Sequence, residues 1–460
     1  MSYSAALDSL NALAAELHTA PGTPRRKFRL EEVRTLLGAL GDPQQRFPSV
    51  LIAGTNGKGS TAATLASILS SAGYAAGLYT SPHLSRVNER VQIQGQAVSD
   101  EQFAAVYFRV DDVATRLVRE GQLPVHPSFF ETMTALAFLH FAESKVPIAV
   151  LEVGMGGRLD ATNVVDPLLS ILTDISLDHT EWLGPTIDAI AREKAGILRQ
   201  NGVLITLPQH PEANQAIGEA ATALGVRAIS ATTYLPVHHH PEQFTRNRYP
   251  LSVLGELIEV DSPLSGQHQQ RNLALAISAA VELRNNYSYD ISALDIEDGI
   301  RSTRWPGRLE LFRGAGARAD VLLDVGHNPA GAWALRSAVS RLLDENPRPL
   351  TLVFGCLRDK AIDEMASVLF PLFDRVVLTP IDSPRTARME DLAAAAAKTG
   401  TPFETAPEAK SALQLALEAT PAGGLIVVSG SVYLVGALRA ELEAGAGLGL
   451  AGSNLGEPKA

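Results

Sequence analysis

The chain carries a single cysteine, Cys356, so no disulfide can form within it and no cysteine cluster can hold a metal. That scarcity fits a reducing compartment, and a cytoplasmic protein is expected. Long apolar runs are also missing. No stretch approaches the roughly 20 uninterrupted residues of a bilayer span, which excludes a helical membrane anchor. Met1 to Ala20 lacks the basic start and apolar core of a signal peptide. Basic residues are outnumbered, giving a net charge of −11. This disfavours a nucleic-acid binder that works by general electrostatics, while leaving room for a local basic pocket facing a polyanion. What is present is ordinary globular composition, 46% hydrophobic and 19% charged over 460 residues. That length exceeds one comfortable core, so two domains are expected.

No internal repeat stands out. The first clear element is the apolar run Val50-Leu51-Ile52-Ala53, a buried strand by length and flanks, followed by a helix from Ser60 to Ser71. Further strand signals lie at Ile148 to Val153, Leu168 to Ile175 and Val203 to Leu207, with a helical pattern at Phe129 to Phe141. Strands alternating with helices predict parallel pairing in a doubly wound α/β sheet. Tyr249 to Val260 alternates as an antiparallel hairpin does, and Gln269 to Leu283 is helical. Trp305-Pro306-Gly307 punctuates the chain and sets a domain boundary there. A second βα series follows, with strands at Val321 to Val325, Leu350 to Phe354, Arg375 to Thr379 and Leu425 to Val428. The expectation is an N-terminal P-loop ATPase-like domain over 1–300, a smaller Rossmann-like α/β domain over 301–444, and a disordered glycine-rich tail over 445–460.

Gly54-Thr55-Asn56-Gly57-Lys58-Gly59-Ser60 sits between a strand and a helix. Glycines let backbone N–H groups approach an anion, and the helix N-terminus favours negative charge. Lys58 would lie against the β- and γ-phosphates and Ser60 would offer its hydroxyl to Mg²⁺. Gly59 interrupts the common spacing, and the plain alternative is a glycine-rich turn with a solvated lysine. By contrast, Gly447-Leu448-Gly449-Leu450-Ala451-Gly452 matches a dinucleotide fingerprint in letters only, because no strand precedes it and no helix follows. Glu152 closes a predicted strand before Gly154-Met155-Gly156-Gly157, and Asp178-His179 closes another. Strand carboxyl ends are where doubly wound sheets bind ligands, so these join the phosphate loop as site candidates. A charge capping a strand is the alternative for Glu152. Lys194 falls in a helix, Ile187 to Leu198, where a lysine is ordinarily solvated. His238-His239-His240 sits in a Pro-flanked polar stretch without carboxylates and is read as a loop.

Taken in order, several segments resemble the folylpolyglutamate synthase and dihydrofolate synthase family of the Mur ligase superfamily. They are the phosphate loop, Thr80-Ser81-Pro82-His83-Leu84 with Asn88-Glu89-Arg90, and Leu151 to Asn163. Leu177-Asp178-His179-Thr180-Glu181-Trp182-Leu183-Gly184 and Arg192-Glu193-Lys194-Ala195-Gly196-Ile197 follow. Trp305-Pro306-Gly307-Arg308-Leu309-Glu310 and Asp324-Val325-Gly326-His327-Asn328-Pro329 complete the series. The resemblance implies an ATP-dependent ligase that activates a pteroate or folate carboxylate as an acyl phosphate and couples it to L-glutamate. It implies ATP contacts at Thr55, Asn56, Gly57, Lys58, Gly59, Ser60, Asn272, Arg308, Asp324 and His327. Two Mg²⁺ sites are implied at Ser60, Ser81, Glu152, His179 and a carbamylated Lys194, with room for a monovalent cation. Lys58, Lys194 and His179 are implied as catalytic. Pterin contacts are implied at Phe28, Ser128, Phe129, Phe130, Glu131, Arg158, Leu159 and Asp160. For Phe129 and Phe130 the alternative is ordinary helix core.

The chain departs from the family around Lys27 to Glu32, where a usual glycine-leucine pair is missing, and at Ala361, where an acidic residue is usual. The implied partners are dihydropteroate, folates, L-glutamate and ATP, with no nucleic acid or membrane, and the implied state is a monomer. A bifunctional enzyme is favoured over one that only extends folates. Two further readings compete. One is a Mur-type ligase acting on a cell-wall precursor, which usually carries an extra domain before the phosphate loop. The other is a non-catalytic nucleotide switch, which a second metal site and a second-domain ATP clamp argue against.

Overall fold

The computed structural model describes residues 2–13, 29–237, 246–314, 318–444 and 450–451. Phe28, His238-His239-His240 and all of the tail beyond 444 except Leu450–Ala451 lie outside them. The chain divides into two compact units, Met1–His240 with Arg248–Pro263 and His268–Arg304, and Pro241–Asn247 with Leu264–Gln267 and Trp305–Ala460.

The first unit is built on β1 (Ser49–Ala53), β2 (Gly77–Tyr79), β3 (Val91–Ile93), β4 (Gln96–Ala97), β5 (Ala149–Glu152), β6 (Leu169–Leu172), β7 (Val203–Thr206) and β8 (Arg227–Ser230). The strand order is β4-β3-β2-β5-β1-β6-β7-β8. All pairings are parallel except the β2–β3 and β3–β4 ribbon at one edge. β1 lies between β5 and β6, so the winding reverses beside it. The crevice at that reversal is the usual ligand position in such sheets. The helices are α1 (Tyr3–Ala12), α2 (Leu30–Ala39), α3 (Lys58–Ser71), α4 (Asp100–Arg119), α5 (Phe129–Glu143), α6 (Thr180–Leu183), α7 (Ile187–Ala195) and α8 (Pro211–Ala223). β9 (Asn247–Val253) and β10 (Glu256–Ser262) form the expected hairpin, and α9 (Gln267–Tyr287) and α10 (Ala293–Ser302) follow.

Local chemistry explains these elements. All five residues of β1 are buried, as a central parallel strand requires. α3 has no polar stripe because nearly all of its first three turns are buried. One neighbour is α10, where Gly299 leaves no room for a side chain: a Cβ there would lie 2.4 Å from the Ile68 Cα. β9 alternates buried and exposed residues, and its turn places Leu254 and Gly255 at φ 55° and 84°. Two positive φ values are the signature of the tight hairpin turn whose twist suits the flanking strands.

The second unit carries β11 (Glu310–Gly314), β12 (Asp320–Leu323), β13 (Leu350–Phe354), β14 (Arg375–Leu378), β15 (Phe403–Thr405), β16 (Leu425–Ser429) and β17 (Leu450–Ala451). Their order is β15-β14-β13-β16-β12-β11-β17. β15 to β12 are parallel, and β11 runs antiparallel to both β12 and β17. The helices are α11 (Pro329–Glu345), α12 (Ile362–Leu369), α13 (Met389–Thr399), α14 (Ala409–Ala419) and α15 (Val432–Glu443). No described helix is long and apolar enough to cross a membrane.

Candidate active site

Four loops leave the carboxyl ends of β1, β2, β5 and β6 and converge. The loop after β1 is shaped by two glycines. Gly54 has φ 153°, and a Cβ on it would fall 1.8 Å from Thr173 Oγ1. Gly57 has φ 87°, and a Cβ on it would meet Asn272 Oδ1 at 2.0 Å. Both positions therefore exclude side chains sterically as well as conformationally. The Thr55 and Asn56 N–H groups donate to the Asp174 carbonyl at 2.9 and 3.2 Å. The loop is further stitched to the β6 loop by Thr55 Oγ1 to Ser176 O at 3.0 Å and Asn56 Nδ2 to Ser176 Oγ at 3.1 Å. Two amides of the motif thus serve structure. α3 opens at Gly57 through Ser60, where the first-turn amides have no intrahelical acceptor, an arrangement that suits an anion. Lys58 Nζ donates to Thr55 O at 3.2 Å, across the mouth of that turn, and Ser60 is buried on the same turn.

Lys194 is 4% exposed, and its Nζ donates to Gly54 O at 2.7 Å. Burial, and then the positive charge of Lys58, push its pKa down from 10.5 to about 7, against the pull of Asp178 and Asp160. The helix that carries it ends at Ala195, shorter than the expected Ile187 to Leu198. Within that helix the buried residues are Ile190, Ala191, Lys194 and Ala195. That is one apolar face with a lysine on it, a spacing signal legible in the sequence.

Glu152 ends β5 as expected, is 4% exposed, and its Oε2 accepts the Ser81 N–H at 3.2 Å. The structure therefore brings Ser81 and Glu152 together. Asp178-His179 does not close a strand, because β6 ends at Leu172. The segment after it is drawn into contacts with the phosphate loop, which takes it off the sheet. His179 instead precedes α6 in a left-handed conformation, φ 52°, with its N–H on Asp178 Oδ1 at 2.9 Å. Its ring Nε2 lies 4.0 Å from Asp178 Oδ2.

The residues expected at the pterin have structural partners. Ser128 and Glu131 form the capping box of α5, with Ser128 N to Glu131 Oε2 at 2.8 Å. Phe130 packs on Gly154, where a Cβ would sit 2.5 Å from its ring, and lies 6.1 Å from the Tyr79 ring. Phe129 carries the Arg90 guanidinium over its face at 5.1 Å, and Arg90 Nε donates to His83 Nδ1 at 2.9 Å. Asp160 is buried and folds its own loop by accepting from Met155 N, Thr162 N and Thr162 Oγ1 at 3.0, 3.0 and 2.6 Å. Burial raises its pKa against those bonds. Arg158 binds Glu193 Oε1 at 2.8 Å, pinning the same loop beside Lys194, and Leu159 between them is half-buried.

In the second unit Arg308, Asp324 and His327 surround one turn. Asp324 accepts from Leu309 N at 3.2 Å and Gly326 N at 2.9 Å, and burial raises its pKa against the pull of Arg308. Leu309 is held at φ 49°, an unusual conformation for a bulky residue, with its side chain buried. Arg308 lies 5.5 Å over the Trp305 ring, and His327 Nδ1 is 2.9 Å from Val325 O. Glu310, which carries no role in the sequence pattern, ties this turn down by accepting from Gly307 N at 2.8 Å and from Arg439.

No group of three or more His, Cys, Asp or Glu side chains among the described residues could hold a metal ion. The oxygen donors that the structure brings together are the Glu152 carboxylate and Ser81. Oxygen donors few in number suit Mg²⁺, which keeps waters and shares phosphate oxygens rather than sitting in an all-protein cage.

Residues 52–280 match the Mur ligase middle domain, and residues 307–432 match the Mur ligase glutamate ligase domain. A folylpolyglutamate synthase of Lacticaseibacillus casei is 34% identical over 421 residues, covering 90% of this chain and 94% of that one. A dihydrofolate synthase/folylpolyglutamate synthase of Bacillus subtilis is 33% identical, covering 90% and 95%. The Mycobacterium tuberculosis folylpolyglutamate synthase structure complexed with ADP and AMPPCP superposes with a TM-score of 0.82 at 32% identity, over 95% of this chain and 98% of that one. The likeness spans both units and takes in the phosphate loop, the β5 and β6 loops and the Arg308 turn, so the chain belongs to the folylpolyglutamate synthase/dihydrofolate synthase family of the Mur ligase superfamily.

Proposed function

We propose that this chain is an ATP-dependent ligase that forms an amide between a pteroate or folate carboxylate and the amine of L-glutamate. We propose further that it performs both the dihydrofolate synthase and the folylpolyglutamate synthase reactions, as the name of its Bacillus subtilis relative does. The observation that carries the reading is the open first turn of α3 backed by Lys194 and flanked by the Ser81–Glu152 contact. The nucleotide and pterin residues named below lie in the first unit, and the second carries the match to the glutamate ligase domain.

A carboxylate is a poor acyl donor because its leaving group would be oxide. Attack of a carboxylate oxygen on the γ-phosphorus of ATP forms a new O–P bond and releases ADP. The glutamate amine then attacks the acyl carbon, the C–O bond breaks, phosphate leaves, and the amine proton passes to solvent. The protein contributes position and charge neutralisation. The amides of Gly57 to Ser60 hold the phosphates, Lys58 follows the charge onto the leaving ADP, and Asn272 walls the loop. Ser60, Ser81, Glu152, His179 and a carbamylated Lys194 would hold two Mg²⁺ ions, which supply charge neutralisation at the phosphoryl oxygens. Phe129 with its stacked Arg90 offers the flat face for a pterin, while Asp160, Ser128, Glu131 and Phe130 shape the wall behind it.

A phosphate-release assay with ATP and glutamate checks this. Dihydropteroate and tetrahydrofolate are each expected to trigger release. Activity with tetrahydrofolate alone removes the dihydrofolate synthase half, and activity only with a cell-wall precursor overturns the reading.

A further inference from the structure

One charged pair touches the phosphate loop without entering the proposed chemistry. Arg271, in α9, donates from Nε to both oxygens of Asp174 at 3.0 and 2.8 Å and from Nη2 to Oδ1 at 2.5 Å. Its Nη2 also reaches Pro208 O at 3.0 Å. Asp174 is the residue whose carbonyl holds the Thr55 and Asn56 amides. The neighbour of Arg271, Asn272, is held by Gln269 at 2.8 Å and fills the notch over Gly57. Two successive residues of α9 thus fix the two halves of one loop. Arg271 fixes the first through Asp174, and Asn272 fixes the second directly.

We infer that Arg271 is a positioning residue for nucleotide binding, latching Asp174 so that the phosphate loop is held open before ATP arrives. The inference rests on the ATP reading above. A two-toothed contact to a carboxylate is specific to the guanidinium fork, so lysine cannot reproduce it. The pair is partly solvated, at 30% and 38% side-chain exposure. That limits the effect of breaking it to roughly 5-fold in nucleotide affinity.

The test is calorimetric binding of ADP with Mg²⁺ to the full chain, together with steady-state kinetics. Arg271→Met and Asp174→Ala are each expected to raise the ADP Kd about 5-fold. The double variant should be no worse than either single one, because the two residues act as one latch. The glutamate KM should stay unchanged, which a general loss of structure would not allow. Wild-type ADP affinity in Arg271→Met overturns the inference. So does a loss in Arg271→Met that Asp174→Ala does not share, since Arg271 would then touch the nucleotide itself. If Arg271→Met fails to fold, Arg271→Lys keeps the charge without the fork, and unchanged affinity there overturns the latch equally. Absence of ADP binding by the wild-type chain would instead strike the ATP reading.

Discussion

Lys194→Ala is expected to lower kcat by roughly 100-fold or more with the fold retained. The argument begins with burial. An ordinary lysine at neutral pH is almost wholly protonated and cannot attack carbon dioxide. Lys194, 4% exposed beside Lys58 and pushed down to about 7, is unprotonated in about half of molecules there. A neutral amine can form an N–C bond to carbon dioxide and lose a proton, giving an anionic carbamate. The ammonium that repels a cation is thereby replaced by an oxygen ligand. The alanine variant should regain part of its activity with short carboxylic acids, which restore an anion in the same space. Unchanged kcat in plain Lys194→Ala would remove the carbamate from the account. The same shift predicts a stability trend. The folded pKa lies below the unfolded value of 10.5, so between about pH 7 and 10.5 only the unfolded chain holds this proton. Stability from Lys194 therefore rises with pH across that window, and its burial penalty is fully present below it. Denaturant titrations should show wild type gaining on Lys194→Ala as pH rises from neutral.

The second large effect is expected at Glu152. Its carboxylate is 4% exposed, ends a central strand and meets the Ser81 N–H at 3.2 Å. Outer-shell partners of a metal commonly cost about 10- to 100-fold when removed, so a direct ligand should exceed that range. Glu152→Ala should lose more than about 100-fold in kcat. Glu152→Gln keeps the size and one acceptor for Ser81 yet removes the charge, and it should need markedly more Mg²⁺ for half-maximal activity. A loss of only a few-fold in both, with an unshifted Mg²⁺ titration, would take Glu152 out of contact with the ion.

Local pattern made much of this legible. The phosphate loop, the strand ending at Glu152 and the two βα series follow from apolar runs and glycine punctuation, and β1, β5, β13 and β16 lie where those runs fall. Short strands such as β2, β3 and β4 have two or three residues each, too few for a period to show. α4 carries a signal of its own, the capping box of Ser99 and Gln102 ahead of its buried face. The apolar run past Leu172 suggests a longer strand ahead of His179, whereas hydrogen bonds to the phosphate loop pull that segment off the sheet. The rest depends on distance along the chain. Arg271 meets Asp174 across 97 residues and Lys194 meets Gly54 across 140. No window of sequence contains both partners of either contact. That separation also hid that the Thr55 and Asn56 amides, inside the motif, donate to the Asp174 carbonyl.

The central claim is that the carboxylate is activated by direct phosphorylation. It can be tested with dihydropteroate whose carboxylate carries a heavy-oxygen label, in the presence of ATP and glutamate. An acyl phosphate requires one labelled oxygen to leave with phosphate when the amine attacks. The account predicts one heavy oxygen in the inorganic phosphate for each amide formed from fully labelled substrate. Label retained wholly in the amide product and in unreacted carboxylate, with none in phosphate, would contradict it.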